Sequence, residues 1–213
     1  MNVTTHVLPD VLHAMVATIA ANADEVTALD QAIGDGDHVY NLQRGLQALL
    51  QQQEELLSLE WGPCLQKIGM TLMSTVGGAS GSLYGTLFLA LSKALHGRNL
   101  DLPVFAEIFS VAVTAVKQRG KADIGEKTML DVYIPVADYL NQAQHLPLAT
   151  VLMDVQAVAA SGVEATRDML ATKGRASFLG ERSRGHIDAG AKTAQLMITA
   201  LAQVLLQTSA TPA

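Results

Sequence analysis

Residues 29–45 read LDQAIGDGDHVYNLQRG. Three aspartates, Asp30, Asp35 and Asp37, fall within eight residues, with Gly34 and Gly36 between them and His38 and Asn41 directly after. The flanks are helical in pattern: a short stretch from Asp24 to Ile33 leads in. A helix from about Asp37 to Gln52, with Leu42, Leu46 and Leu49 on one face, leads out. Carboxylates this close repel one another unless a cation sits among them. A hard divalent ion suits the place, magnesium best, because one or two carboxylates plus substrate phosphates make its usual site. The glycines let the backbone turn sharply and approach a ligand. The helix that follows turns its first N–H groups and positive dipole end toward the loop, where a phosphate would be held. The same run also reads as a plain turn, with Asp37 capping the next helix. An EF-hand is excluded: a loop starting at Asp35 puts Val39 at a ligand position and Tyr40 where the sharp-turn glycine belongs.

Outward from this stretch the helical pattern continues to both ends. Leu8, Val11, Leu12, Met15 and Ile19 form an opening amphipathic helix with Pro9 in its first turn. The polar run at 51–55 reads as a solvated helix end. Leu65, Ile68, Leu72 and Val76 mark a third helix, which stops at Gly77-Gly78-Ala79-Ser80-Gly81. Leu83, Leu87, Leu91 and Leu95 make the next, ending near His96-Gly97. Pro103 starts another, with Phe105, Phe109, Ala112 and Val116 on one side and Ile108, Val111 and Ala115 beside them, a surface broad enough for burial on more than one face. After the break RGKADIGEK (119–127) come helices from Thr128 to Asn141 and from about Leu148 to Thr172. The latter carries Val151, Val155, Val158, Gly162 and Met169 on one face. The basic stretch KGRASFLGERSRGH (173–186) precedes a last helix from about Asp188 with Met197, Leu201, Val204 and Leu205. Nothing alternates with period two, no linker divides the chain, and no repeat is present. The pattern gives roughly eight helices and an all-α, single-domain fold.

Composition narrows the function classes. Of 213 residues 49% are apolar and only 4% aromatic, which favours closely packed helices over a sheet sandwich. The formal charge is 14 − 20 = −6, which argues against a nucleic-acid surface. Cys64 is the single cysteine, so no internal disulfide forms. The start, MNVTTHVLPDVLHAM, lacks a basic segment followed by an apolar core, so no signal peptide is expected. No long apolar stretch lacks polar breaks, so no membrane-spanning helix is expected. The cytoplasm is the default compartment.

Four unusual interruptions, 34–38, 77–81, 119–127 and 173–190, alternate with the helices. In an antiparallel bundle alternate loops share an end, so these four are expected to meet on one rim. There Asp30, Asp35 and Asp37 would hold metal. Gly77, Gly78 and Gly81 would let backbone N–H groups and Ser80 approach phosphates as an anion nest does, or they would form a simple helix–helix turn. Lys173, Arg175, Arg182 and Arg184 bring positive charge to an acidic protein, or form an ordinary solvated loop. His38 would donate to a phosphate or only satisfy a helix end. No Walker A motif, Rossmann fingerprint or Ser–His–Asp arrangement is present.

AIGDGDH (32–38) with Asn41 and Gly45, GGASGSLYGT (77–86), GEKTMLD (125–131) and GRASFLGERSRGHIDAGA (174–191) occur in this order. They resemble the L subunit of bacterial dihydroxyacetone kinase and the matching nucleotide domain of single-chain kinases, the DAK2 family. The resemblance implies an antiparallel eight-helix barrel with ADP or ATP and two magnesium ions at one rim. It implies that Asp30, Asp35 and Asp37 bind the metal and that His38, Asn41, Ala79 and Ser80 contact phosphates. Gly120, Thr128, Met129 and Arg175 would lie around the nucleoside, Asp188 and Gly190 would close the site, and 173–187 would form a lid. Partners would be a K-type subunit holding dihydroxyacetone and, in phosphotransferase-linked members, an M-type subunit that rephosphorylates bound ADP. Two departures from the family stand out: Val39-Tyr40 stands for Gly-Thr, adding bulk beside the phosphates, and Ala189 stands for proline. The resulting expectation is a nucleotide–magnesium kinase subunit. Its rivals are an ATP-exchanging subunit for another acceptor and a nucleotide-sensing regulatory protein.

Overall fold

The structure, a computed structural model, describes residues 4–210. The leader reading begins at residues 1–3, outside the described residues. Ten α-helices occur among the described residues: α1 Leu8–Ala21, α2 Ala23–Ile33, α3 His38–Gln51, α4 Gln53–Leu57, α5 Trp61–Thr75, α6 Gly78–Leu95, α7 Leu102–Gly120, α8 Leu130–Gln142, α9 Leu148–Ala165 and α10 Ala189–Ala210. Three 3-10 segments, Thr5–Val7, Thr166–Asp168 and Arg175–Ser183, complete the regular structure, and no described residue lies in a strand. The all-α expectation holds, with more elements than the eight the periodicity gives.

Beyond the eight, α2 is the short stretch expected from Asp24 to Ile33, and α4 is new. The polar run is not one solvated helix end: the helix breaks at Gln52 and α4 starts at Gln53, placing Leu56 in the core at 0% exposure. Start and stop signals act locally elsewhere. Asp101 caps α7, its carboxylate accepting from the Val104 N–H at 2.9 Å, with Pro103 in the first turn. One apolar cluster runs through α1, α3 and α5 to α10. Val111, expected on a buried flank of α7, is instead 49% exposed.

Neighbours pack in the order α1, α3, α5, α6, α7, α8, α9, α10, and α10 packs back against α1. Adjacent members run antiparallel where contacts fix direction. Ser92 on α6 donates to the Gly62 carbonyl at the start of α5 at 2.8 Å, whereas Gly69 meets Gly85 midway. Tyr139 near the end of α8 donates to Asp154 near the start of α9 at 2.5 Å, whereas Asp131 meets Gly162 at the other end. α2 and α4 sit beside this order, α2 against α3, α10 and the 175–183 segment, and α4 against α1, α3 and α5.

Two expectations about the long helices change. α9 stops at Ala165, not Thr172, and Met169 lies beyond it in extended conformation. The cause is distant in sequence: the Lys127 ammonium takes the carbonyls of Thr166 and Arg167, and the Thr166 hydroxyl donates to Val163 O at 2.7 Å. Leu148–Asp168 and Ala189–Ser209 are each long and apolar enough, by length and composition, to cross a membrane, against the expectation that none would be. Both serve here as packing helices, α9 between α8 and α10, and α10 between α9 and α1.

Candidate functional site

The aspartate loop forms where α2 gives way to α3. Asp30 stands in the last turn of α2 and accepts the His38 N–H at 3.1 Å. It therefore supplies the cap that Asp37, in the N-cap position, does not make with its own side chain. A Cβ at Gly34 would lie 2.2 Å from Asp30 Oδ1, so only glycine lets the chain pass this carboxylate undisturbed. One carboxylate oxygen from each of Asp30, Asp35 and Asp37 falls within 4.8 Å of the others, with Asp35 and Asp37 exposed. All-oxygen, solvent-open and triply anionic, this donor set fits a hard cation such as magnesium and not a soft one.

The glycine interruption at 77–81 is shorter than its sequence suggests. Gly77 is the N-cap of α6, so Ala79 and Ser80 lie in the first turn of that helix, with exposed Ala79 among its unpaired backbone donors. Asn41 faces this turn: a Cβ on Gly77 would come within 2.7 Å of Asn41 Oδ1. Arg44, unforeseen from the sequence, holds Asn41 Oδ1 at 2.8 Å and Thr75 O at 2.6 Å. Val39 does not add bulk beside this turn, because its side chain lies in the core. Val39 is 0% exposed in the core and Tyr40 is 60% exposed. On a helix His38 and Asn41 share a face and the two residues between them do not.

His38 does not have a free ring nitrogen. Nδ1 lies 3.1 Å from Ser80 Oγ and Nε2 lies 2.8 Å from Thr193 Oγ1. Thr193 Oγ1 also lies 3.1 Å from Gly190 O, which can only accept, and 3.1 Å from Tyr84 OH. With the Thr193 proton on Gly190 O, Thr193 accepts from both His38 and Tyr84, the imidazole proton sits on Nε2, and Nδ1 accepts from the Ser80 hydroxyl. Burial lowers the His38 pKa, opposed by Asp30 and Asp37, so the neutral ring is favoured. A chain of hydroxyls thus links the core to the first turn of α6. Valine at Thr193, isosteric and fully buried, strands two donors, each worth about 1–3 kcal/mol. Thr193→Val is expected to lose about 2–6 kcal/mol in chemical denaturation and to lose the Nε2–H pattern in His38 15N shifts. Unchanged stability and shifts would show the tautomer assignment to be wrong.

The third and fourth interruptions join the same rim. Asp131 accepts from Gly125 N at 2.5 Å and Thr128 N at 2.7 Å, shaping the turn that presents Thr128 and buried Met129 at the start of α8. Gly120, at the end of α7, lies against Leu83 of α6. Asp188 caps α10 through Ala191 N at 2.7 Å, and Gly190 sits between Asp188 and Met129 N. Loss of water contact pushes the Asp188 carboxyl up to about 7, the Ala191 N–H pulls it back, and the Asp131 and Asp30 charges add to the rise. Arg175 reaches across to Asp35 at 2.7 Å. The basic loop is less free than its composition implies: Lys173 pairs with Glu126 at 3.3 Å and Arg184 with Glu181 at 2.8 Å. All four interruptions therefore meet, and the N-termini of α3, α6, α8 and α10 open on one rim with the carboxylates among them. Positive dipole ends and a metal-type cluster side by side suit a phosphate-bearing ligand.

Comparison with known proteins agrees with this geometry. Residues 32–203 match the family model of the DAK2 domain. The chain is 41% identical over 185 residues to the ADP-binding subunit DhaL of PEP-dependent dihydroxyacetone kinase 1 from Listeria innocua, covering 87% of this chain and 89% of that one. The crystal structure of the dihydroxyacetone kinase of C. freundii in its native form matches with a TM-score of 0.72 at 26% identity over 92% of this chain. The same enzyme in complex with AMP-PNP and Mg2+ matches in fold with a TM-score of 0.72 at 24% identity over 95% of this chain. This chain spans 34% of the length of that kinase. The chain belongs to the DAK2 family, the nucleotide-binding L subunits and domains of dihydroxyacetone kinases.

Proposed function

We propose that this chain is the nucleotide- and magnesium-binding L subunit of a dihydroxyacetone-type kinase, supporting phosphoryl transfer from bound nucleotide to dihydroxyacetone or a related ketose held on a K-type partner. The observation that carries this is the meeting of three carboxylates within 4.8 Å with the first turns of α3 and α6. Asp30, Asp35 and Asp37 would hold magnesium, two ions by the family resemblance, and the metal would neutralise phosphate charge during transfer. Ser80, Ala79 and Asn41 would take the phosphates. His38 would act through Ser80, since its own nitrogens are engaged. Thr128, Met129, Gly120 and Arg175 would surround the nucleoside, with Asp188 and Gly190 closing it. No residue of this chain is needed as base for the sugar hydroxyl; positioning and charge do the work.

The packing order of the helices, closing from α10 to α1, supports an antiparallel eight-helix barrel as one nucleotide domain over 1–213. The Listeria relative is PEP-dependent by name, which favours a built-in ADP rephosphorylated by an M-type phosphotransferase partner in the cytoplasm. Purification in magnesium, denaturation and chromatography of released nucleotide test the reading. Near-stoichiometric ADP that resists exchange supports the phosphotransferase-fed form. An empty site that binds and exchanges ATP supports an ATP-dependent kinase subunit. No nucleotide and no binding would overturn the function.

A further inference from the structure

Lys127 is a buried charge that the nucleotide site does not use. It lies in the connection between α7 and α8 with φ of 61°, an uncommon conformation for a residue with a side chain, and is 1% exposed. Lysine is almost never fully buried unless it is paired. Among the described residues no carboxylate pairs with the ammonium. Nζ donates to Thr166 O at 2.5 Å, to Arg167 O at 3.3 Å and to His186 O. Three acceptors match three N–H groups. Burial lowers the Lys127 pKa, and the nearby charges of Asp188, Asp168 and Asp131 oppose that.

The three carbonyls belong to the two ends of one loop. Thr166 and Arg167 follow α9, and His186 precedes α10. Between them, 169–185 carries Arg175. The two stems are stitched together: Gly185 N donates to Arg167 O at 2.8 Å, Ala171 N to Ser183 Oγ at 3.0 Å, Asp188 N to Thr166 Oγ1 at 3.1 Å, and Arg184 to Asp168 O. Glu126, next to Lys127, holds the outer side through the Thr172 hydroxyl at 2.7 Å. The tip then reaches Asp35 through Arg175.

We infer that Lys127 is a positioning residue whose ammonium locks both stems of the 169–185 loop together, holding Arg175 and Asp188 at the aspartate rim before ligand arrives. What the loop covers rests on the nucleotide reading; the lock itself does not. A side chain without N–H groups takes the ammonium from all three carbonyls, leaving Thr166 O and Arg167 O with only their backbone partners, Met169 N and Gly185 N, and the stems gain freedom. A loop ordered in advance lowers the cost of binding, and its loss appears mainly as faster release.

The test compares the full-length wild type with Lys127→Met and Lys127→Gln. Amide hydrogen exchange is read without nucleotide, and release of a fluorescent ADP analogue is read in magnesium. In Lys127→Met the Ala171, Gly185 and Asp188 amides should exchange about 10- to 100-fold faster, and release should quicken by a similar factor, with α5 and α6 unchanged. Lys127→Gln, which keeps two donors and no charge, should fall between. If Lys127→Met does not fold, Lys127→Gln decides on the same readout. Stem amides that exchange as in wild type would overturn the lock, as would acceleration spread evenly over all helices. A wild type that binds no ADP analogue removes the nucleotide reading alone, because exchange at the stems still decides the lock.

Discussion

Asparagine at Asp30 is expected to weaken magnesium-dependent ADP binding by about 100-fold or more, beyond the 10- to 100-fold typical of losing a residue that merely supports a metal ligand. The fold should survive, because asparagine keeps the shape and the acceptor that holds His38 N at 3.1 Å at the start of α3. What is lost is one of three negative charges in a cluster only 4.8 Å across. Magnesium dehydrates reluctantly and relies on anionic oxygen to do so. Without the metal the sign reverses: removing one of several mutually repelling carboxylates relieves strain, so in EDTA the variant should melt at or slightly above wild type. Calorimetric titration of ADP with magnesium and a melt in EDTA check both halves. Wild-type affinity in Asp30→Asn would refute the metal assignment.

The local pattern carried most of the architecture. Apolar residues at helical spacing placed α1, α3 and α5 to α8 closely, and the four interruptions were readable as one rim because each breaks the pattern with glycine or charge. Two inserted helices did not spoil this alternation, since α2 and α4 lie beside the packing order. What the sequence concealed depends on partners far along the chain. Met169 continues the apolar face of α9, yet the helix has already ended, because Lys127, 39 residues before Thr166, captures the Thr166 carbonyl. Thr193 meets His38 across 155 residues, and a threonine inside an apolar helix carries no local mark of that role. Lys127 stood within a recognisable motif, but only burial reveals that its charge serves backbone carbonyls. Val39 misleads for a simpler reason: adjacency in sequence is not adjacency in the site, and the turn of helix sends its side chain to the core.

Alanine at Gly162 should be the most destabilising methyl group that can be added to this chain away from the rim. Introducing alanine for glycine inside a helix ordinarily gains up to about 1 kcal/mol of propensity. At Gly162 that gain is opposed by contact with backbone: the new Cβ would lie 2.4 Å from Asp131 O and 3.1 Å from Val132 Cα. Neither atom belongs to a side chain that can rotate away, so α8 and α9 must separate. The approach is close for a reason. Pro135, inside α8, has no N–H to offer Asp131 O, and the bare backbone of Gly162 lies against that carbonyl. Overpacking costs about 1–3 kcal/mol where side chains can yield, so about 3 kcal/mol or more is expected here, a melting-temperature fall of about 6–12 °C for a domain this size. Binding should fall too, because the Asp131 carboxylate holds the 125–128 turn through Gly125 N and Thr128 N. Gly62, in the first turn of α5 with nothing within 4 Å of its added Cβ, is the internal control, and Gly62→Ala should be neutral or slightly stabilising. Two identical substitutions with opposite signs would tie the effect to the α8–α9 contact; equal melting temperatures for both would mean that the helices can part there at little cost.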